Sequence, residues 1–313
     1  MYKISDSKPF VKWAGGKGKL LGQLDAFLPT RLYTEDFTYI EPFVGGGAML
    51  FHMLCKFRNI RKVIFNDINV DLIKAYQTVR DHPEQLISGL KKIEREYCSL
   101  DGDEARKSYY LEVRTRFNQH RDDDVRNTVH LIFLNKTCFN GLYRVNSRGE
   151  FNVPIGSYTH PVICHTDTIL ADSAVLNICD VDIVSGDFAA MDAYLNPQML
   201  NFFYFDPPYR PLTQTSSFTA YAKGDFTDED QKRLAEFCNC ISEAGALWML
   251  SNSDCSAKNP NDVFLEELYQ NYLIERVYAS RSINANASKR GKLTELLIHN
   301  DYEISNSLFL KAI

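Results

Sequence analysis

Five residues, Asn201-Phe202-Phe203-Tyr204-Phe205, run directly into Asp206-Pro207-Pro208-Tyr209. A continuous apolar and aromatic run of this length suits a strand covered on both faces, as in a parallel sheet flanked by helices. The prolines stop it because they cannot donate to the ladder. Asp206 then falls at the carboxyl end of a buried strand, in the crevice where open α/β sheets bind their ligands.

The rest of the chain follows the same grammar. Tyr39-Ile40 leads into Glu41-Pro42-Phe43-Val44-Gly45-Gly46-Gly47 and an apolar segment over 48–57, which reads as strand, loop and helix. A second short strand over 62–65 closes on Asn66-Asp67, so the spacing predicts the start of a βαβ unit. From 71 to 165 the pattern is helical (72–79, 84–97, 109–117, 125–134) and then Gly- and Asn-rich, the mark of an inserted domain. The α/β pattern resumes at 181–184, before Ser185-Gly186-Asp187-Phe188. A helix capped by Thr227 and ending near Gly245 follows, then strand-like runs at 246–250, 273–279 and 293–299. The expected division is 1–70, 71–165 and 166–313, with the first and last parts forming one catalytic domain.

Composition narrows the function. With 313 residues and 45% hydrophobic content, the chain can bury a large core, which excludes disorder. Eight cysteines without a CxxC pair or zinc-type His spacing read as reduced thiols, with no metal site and no disulfide frame. The N-terminus lacks an apolar signal core and no run of about 18 apolar residues occurs, so a cytoplasmic protein is expected. The net charge of −5 hides a partition: 1–19 carries +4, 136–158 carries +2 and 276–292 carries +5. These three segments are candidates for a basic, salt-sensitive binding surface.

Individual residues then suggest chemistry. Gly45 and Gly47 flank a strand-to-helix turn where a nucleotide-like ligand can approach the backbone, although the spacing departs from GxGxxG and a plain tight turn is the alternative. Asp67, about twenty residues on, stands where doubly wound folds hold ribose hydroxyls. The carboxylate of Asp206 and the carbonyl of Pro207 can each accept one hydrogen of an amino group, with Tyr209 stacked on the base that carries it. Such a corner is reached by a base only after it leaves the double helix.

These motifs resemble, in order and over almost the whole chain, the α-class, Dam-like DNA adenine-N(6) methyltransferases. Phe10-Val11-Lys12-Trp13-Ala14-Gly15-Gly16-Lys17 is similar to that family's opening motif, Tyr39 to Gly47 to its glycine-rich motif, Asn66-Asp67 to its ribose-binding acid, and Asp206 to Tyr209 to its DPPY motif. The resemblance implies a Rossmann-like methyltransferase sheet with an inserted, mostly helical target-recognition domain ending in a β-hairpin. It implies S-adenosylmethionine as cofactor, held by Trp13, Lys17, Asp67 and Asp206, with Asp187 and Phe188 flanking its adenine. Asp206 and Tyr209 would also meet the target base.

The run from Leu134 to Gly156 interleaves aromatic residues with Arg and Asn around a turn at Ser147-Arg148-Gly149. On its residues alone it is either a DNA reader or a surface hairpin. It is similar to the recognition hairpin of the Dam-like enzymes that methylate 5′-GATC-3′ in double-stranded DNA. By that likeness Arg144 reads guanine, Phe139 is the intercalating wedge, Asn140, Leu142, Pro154 and Tyr158 make further contacts, and Lys12 meets the outer guanine. On their residues alone, 210–221 is either a loop that orders over the substrate or a solvated connector, and 281–292 either a phosphate-contacting stretch or a solvated face. The likeness also implies a bacterial or phage origin, and a companion restriction endonuclease is left open. A nicotinamide-dependent oxidoreductase and a non-catalytic DNA-binding regulator are the alternatives.

Overall fold

A computed structural model of the chain describes residues 3–119, 123–212, 226–279 and 293–304. The N-terminal stretch makes short 3-10 turns at Ile4–Asp6 and Lys17–Lys19 before α1 (Leu21–Leu24). Then follow β1 (Phe37–Glu41), α2 (Ala48–Lys56), β2 (Ile60–Asp67), α3 (Val70–Asp81), α4 (Pro83–Cys98), α5 (Asp103–Gln119), α6 (Asp124–Thr137) and α7 (Thr166–Leu176). The C-terminal half contains β3 (Asp180–Ser185), β4 (Leu200–Phe205), α8 (Asp228–Glu243), β5 (Leu247–Ser253), α9 (Phe264–Leu268), β6 (Leu273–Ala279) and β7 (Leu293–His299).

The strands form one sheet in the order β3-β2-β1-β4-β5-β7-β6. The first five are mutually parallel, and β7 enters antiparallel to both β5 and β6. From β1 the chain builds outward to β2 and β3, then returns to place β4 on the other side of β1. The order therefore reverses between β1 and β4, the place where a doubly wound sheet opens a ligand crevice. Glu41 ends β1 and Asp206 follows β4, so both stand at that opening.

Alternate residues of the central strands enter opposite faces, as the period of two requires. Tyr39, Phe202, Tyr204 and Met249 join one apolar cluster; Ile40, Phe203, Phe205, Trp248 and Leu250 join the other, beneath α8 and α9. The double coverage expected from the run over 201–205 is thus present. The first cluster continues into Leu86, Tyr97, Tyr110, Phe117 and Phe133 of α4 to α6, so the helical layer shares its core with the sheet.

Local signals explain most boundaries. Thr227 caps α8 in a reciprocal box with Asp230, and Gly245, at φ +80°, follows the helix where a left-handed residue is needed. The helix α7 has no amphipathic signature, because its buried residues include Thr168, Ile169, Asp172, Ser173 and Val175, spread around the axis. No helix among the described residues is long and apolar enough to cross a membrane.

Asp172 of α7 ties down the N-terminal strap by accepting from the Ser7 hydroxyl at 2.7 Å and the Lys8 N–H at 3.0 Å, while its Oδ2 is buried without a partner. Burial pushes this carboxyl up to about 7, outweighing those donors. A carboxyl whose folded value lies above its unfolded one favours folding at low pH, and that contribution fades as pH rises through the folded value. Urea unfolding should therefore show stability falling from about pH 4 to about pH 7 and levelling off above that, and Asp172→Asn should flatten that fall. An unchanged slope in the variant would assign it to other groups.

Candidate active site

One cavity of ≈ 1030 Å³ occupies the opening between β1 and β4, bounded by the N-terminal strap, the glycine loop, the tips of β2 and β3, and the segment after β4. This volume suits a cofactor-sized ligand. Trp13, Lys17, Gly45, Gly47, Asp67, Asp187, Phe188, Asp206, Pro207 and Tyr209 all line it. Residues scattered over two hundred positions thus meet in one place because every one follows a strand end or lies on the strap above it.

The glycine loop is held mainly by its own protein. Gly45 adopts φ +47° and Gly47 φ +75°, and a Cβ on Gly47 would lie 2.4 Å from the Tyr76 hydroxyl oxygen. A Cβ on Gly45 would press on the Trp13 indole at 3.0 Å, and the Tyr76 hydroxyl donates to the Gly45 carbonyl at 2.9 Å. The turn itself therefore requires glycine at these two positions, and the same loop walls the cavity. Asp67 is fixed alongside: its carboxylate accepts from the Gly45 N–H at 3.0 Å and the Asn69 N–H at 2.9 Å. Burial pushes its carboxyl up to about 6 despite those two donors.

The corner after β4 is built around Lys17, only 3% exposed. Its ammonium donates to Asp206 Oδ1 at 2.9 Å and to the Gly15 carbonyl at 3.0 Å, and sits 4.3 Å from the centre of the Tyr209 ring. Burial pushes the Asp206 carboxyl up, and Lys17 draws it back only in part. Nearby Glu41 receives the Tyr39 hydroxyl at 2.7 Å, and burial raises its carboxyl well above the usual range. The backbone of the corner is clamped from behind. Gln231 donates to the Pro208 carbonyl at 3.2 Å, Asn252 accepts the Arg210 N–H at 3.2 Å, and Arg210 pairs with Asp228 and Asp262. Among the described residues no donor reaches the Pro207 carbonyl or the second Asp206 oxygen, so both acceptors stay available to a ligand.

Asp187 and Phe188 stand at the far wall. The Asp187 carboxylate accepts from the Ala189 N–H at 2.9 Å and pairs with Arg233 at 3.0 Å. Phe188 is mostly buried between Phe43, Phe226 and Phe237.

The strap also reaches the segment after α6. Trp13 stacks on Tyr143 at 5.4 Å between ring centres, and Asn135 both accepts the Lys12 N–H and donates to the Lys12 carbonyl, each at 2.7 Å. Lys12 continues over the Tyr158 ring at 4.6 Å. Asn140, at φ 55°, and Gly141 turn the chain there, leaving Phe139 53% exposed. The Phe139 N–H donates to the Pro154 carbonyl at 2.9 Å, so Lys12, Phe139, Asn140, Pro154 and Tyr158 share one end of the segment. The expected hairpin is narrow, made of isolated bridges at Cys138–Ile155 and Val145–Phe151 around a turn at 146–149. Arg144 is braced by Asn152 Oδ1 at 2.8 Å, whereas Leu142 packs partly into the core. Burial, with Lys12 and Lys8 adjacent, draws the Lys136 ammonium down to about 8. Most of the expected loop over 210–221, and all of 281–292, lie outside the described residues.

Glu295, Gln231, Asn252, Tyr76 and Asn135 were not legible as site residues. Glu295 gave the clearest missed signal, an acid inside the apolar run Leu293-Thr294-Glu295-Leu296-Leu297-Ile298. Among the described residues no group of three His, Cys, Asp or Glu side chains is arranged to hold a metal ion.

A doubly wound sheet with a nucleotide-sized cavity at its switch point, continuous with an acceptor-rich corner, has the architecture of an α/β ligand-binding enzyme. Residues 13–283 match the model of the D12 class N6 adenine-specific DNA methyltransferases, and the chain belongs to that family. It is an adenine-specific DNA methyltransferase. It is 46% identical to the type II methyltransferase M.MjaIII of Methanocaldococcus jannaschii, over 94% of this chain and 99% of that one. It is 38% identical to the type II methyltransferase M1.LlaDCHI of Lactococcus lactis, over 94% and 95%. The DNA adenine methylase of Escherichia coli K12 is 31% identical over 94% and 95%. The nicotinamide-dependent oxidoreductase and the non-catalytic regulator weighed from the sequence are thereby set aside.

Proposed function

We propose that the chain transfers a methyl group from S-adenosylmethionine to the exocyclic amine of an adenine turned out of duplex DNA, within 5′-GATC-3′. The observation that carries this is the corner itself: two unused acceptors, Asp206 Oδ2 and the Pro207 carbonyl, open into the same cavity as Asp67 and the glycine loop. The residues present fit the cofactor. Asp67 offers a buried carboxylate to ribose hydroxyls, Phe188 an aromatic edge, Trp13 an indole face and Lys17 a point charge. When bound, the cofactor supplies an already activated methyl group, so the protein needs no metal and little acid or base strength.

What remains is alignment. Asp206 and Pro207 accept the two amino hydrogens, which directs the nitrogen lone pair into the cavity. Lys17 holds Asp206 in place from one side, and Tyr209, with Lys17 over one ring face, offers the other to the base. A carboxylate beside the nitrogen also favours the positive charge that develops there as its bond to carbon forms.

DNA reading is assigned to residues 71–165, with the strap contributing Lys12. Arg144, braced by Asn152, is the guanine reader, and the exposed Phe139 is the wedge. Asn140, Pro154, Tyr158 and the exposed edge of Leu142 complete the contacts, and the resemblance to GATC enzymes supports the sequence named.

Asp206→Ala should lower methyl transfer to duplex DNA by at least about a thousandfold in protein that is still folded at the assay temperature, with a lowered unfolding midpoint because the buried Lys17 loses its partner. An active variant would remove the corner from the chemistry. Cofactor affinity should also depend on pH. Asp67 titrates at about 6, so it is ionised and a full acceptor above that value and loses the role below it. Calorimetric titration should show S-adenosylmethionine binding weakening about tenfold from about pH 7.5 to about pH 5, with Asp67→Asn weak and nearly flat across that range. A wild-type curve in the Asn variant would take the ribose away from Asp67.

A further inference from the structure

Glu295 sits on β7 opposite Ser253 of β5 and Val277 of β6, with Leu297 on the same face two residues on. An apolar residue would continue the strand at lower cost, since a largely buried carboxylate must be desolvated. This one is also placed near a second carboxylate. Its charge lifts the Asp206 carboxyl further, which works against the ionised form that accepts an amino hydrogen. A group that opposes its neighbour in this way needs another partner to account for it.

That partner is Tyr209. Glu295 Oε2 accepts the Tyr209 hydroxyl at 2.7 Å, and the same oxygen lies 3.8 Å from Lys17 Nζ. Burial keeps the Tyr209 phenol protonated, so it is the donor of that bond. The ring is therefore pinned at two points, by the lysine over its face and by the carboxylate at its tip. Without the second point the ring can still pack, but it can also swing about its Cα–Cβ and Cβ–Cγ bonds.

We propose that Glu295 is a positioning residue for methyl transfer, acting through Tyr209 by holding its hydroxyl so that the ring presents a fixed face to the target base. The proposal rests on the reading of Asp206 to Tyr209 as the corner that receives the base. It sharpens that reading in one respect: the base platform is completed from β7, the antiparallel strand, and not from the motif alone.

The test is a double-mutant cycle on the full chain, read as the single-turnover rate of methyl transfer to duplex DNA at saturating cofactor. Glu295→Ala and Tyr209→Phe should each slow the rate about tenfold, with S-adenosylmethionine affinity changed by less than about threefold. The double variant should be no slower than either single one, because both remove the same hydrogen bond. Glu295→Gln, which still accepts from the hydroxyl, should retain at least about a third of the rate. Parental activity in Glu295→Ala, or losses that multiply to about a hundredfold in the double variant, would overturn the proposal. If Glu295→Ala does not fold, the near-isosteric pair decides: Tyr209→Phe at the parental rate, or Glu295→Gln about tenfold slower, refutes it. Activity retained in Asp206→Ala is a separate outcome, since it removes the corner while leaving the cycle readable.

Discussion

The ion pair between Lys17 and Asp206 is the constraint on which the rest of the site depends. A buried pair of this kind is poor evidence for stability, because desolvation offsets most of its attraction. Its effect here is geometric. Lys17 is carried by the N-terminal strap and Asp206 by the end of β4, so the 2.9 Å contact brings the strap down over the switch point of the sheet. Once it is there, the same strap sets Trp13 against the glycine loop and Tyr143, and Lys12 against Asn135 and Tyr158. The cofactor-sized cavity and the segment assigned to DNA reading are thus joined through about six residues of chain.

The corner also shows a division of labour among its polar groups. The Pro208 carbonyl and the Arg210 N–H are consumed by Gln231 and Asn252, which fixes the backbone, while among the described residues no donor meets the Pro207 carbonyl or the second Asp206 oxygen. Proline is suited to this arrangement because it withholds N–H donors that would otherwise compete. The cation above Tyr209 and the carboxylates around it form a small electrostatic unit in which each group limits the others' freedom.

Much of this was legible in the residues. The strand over 201–205, the two short parallel strands and the capped helix after Thr227 have local causes: apolar run length, turn residues and a reciprocal cap. All appear at their expected places. Asp67 and Asp206 were legible because the fold dictates what strand tips do. Long-range pairings were not. Glu295 on an edge-side strand, Asn135 clamping Lys12 and Tyr76 crossing to Gly45 depend on which elements meet, and no local pattern encodes that. The helix α7 escaped for a different reason, being buried around its axis and therefore without a period to read.

We have proposed that this corner, with the segment following α6, places an adenine amine of a particular duplex sequence before an activated methyl group. Methylation-aware sequencing of DNA from a methylase-free host expressing only this protein tests it most directly. N(6)-methyladenine is expected in nearly every GATC and at background level elsewhere. Methylation confined to another sequence would contradict the reading of the hairpin, and a modified cytosine would contradict the reading of the corner.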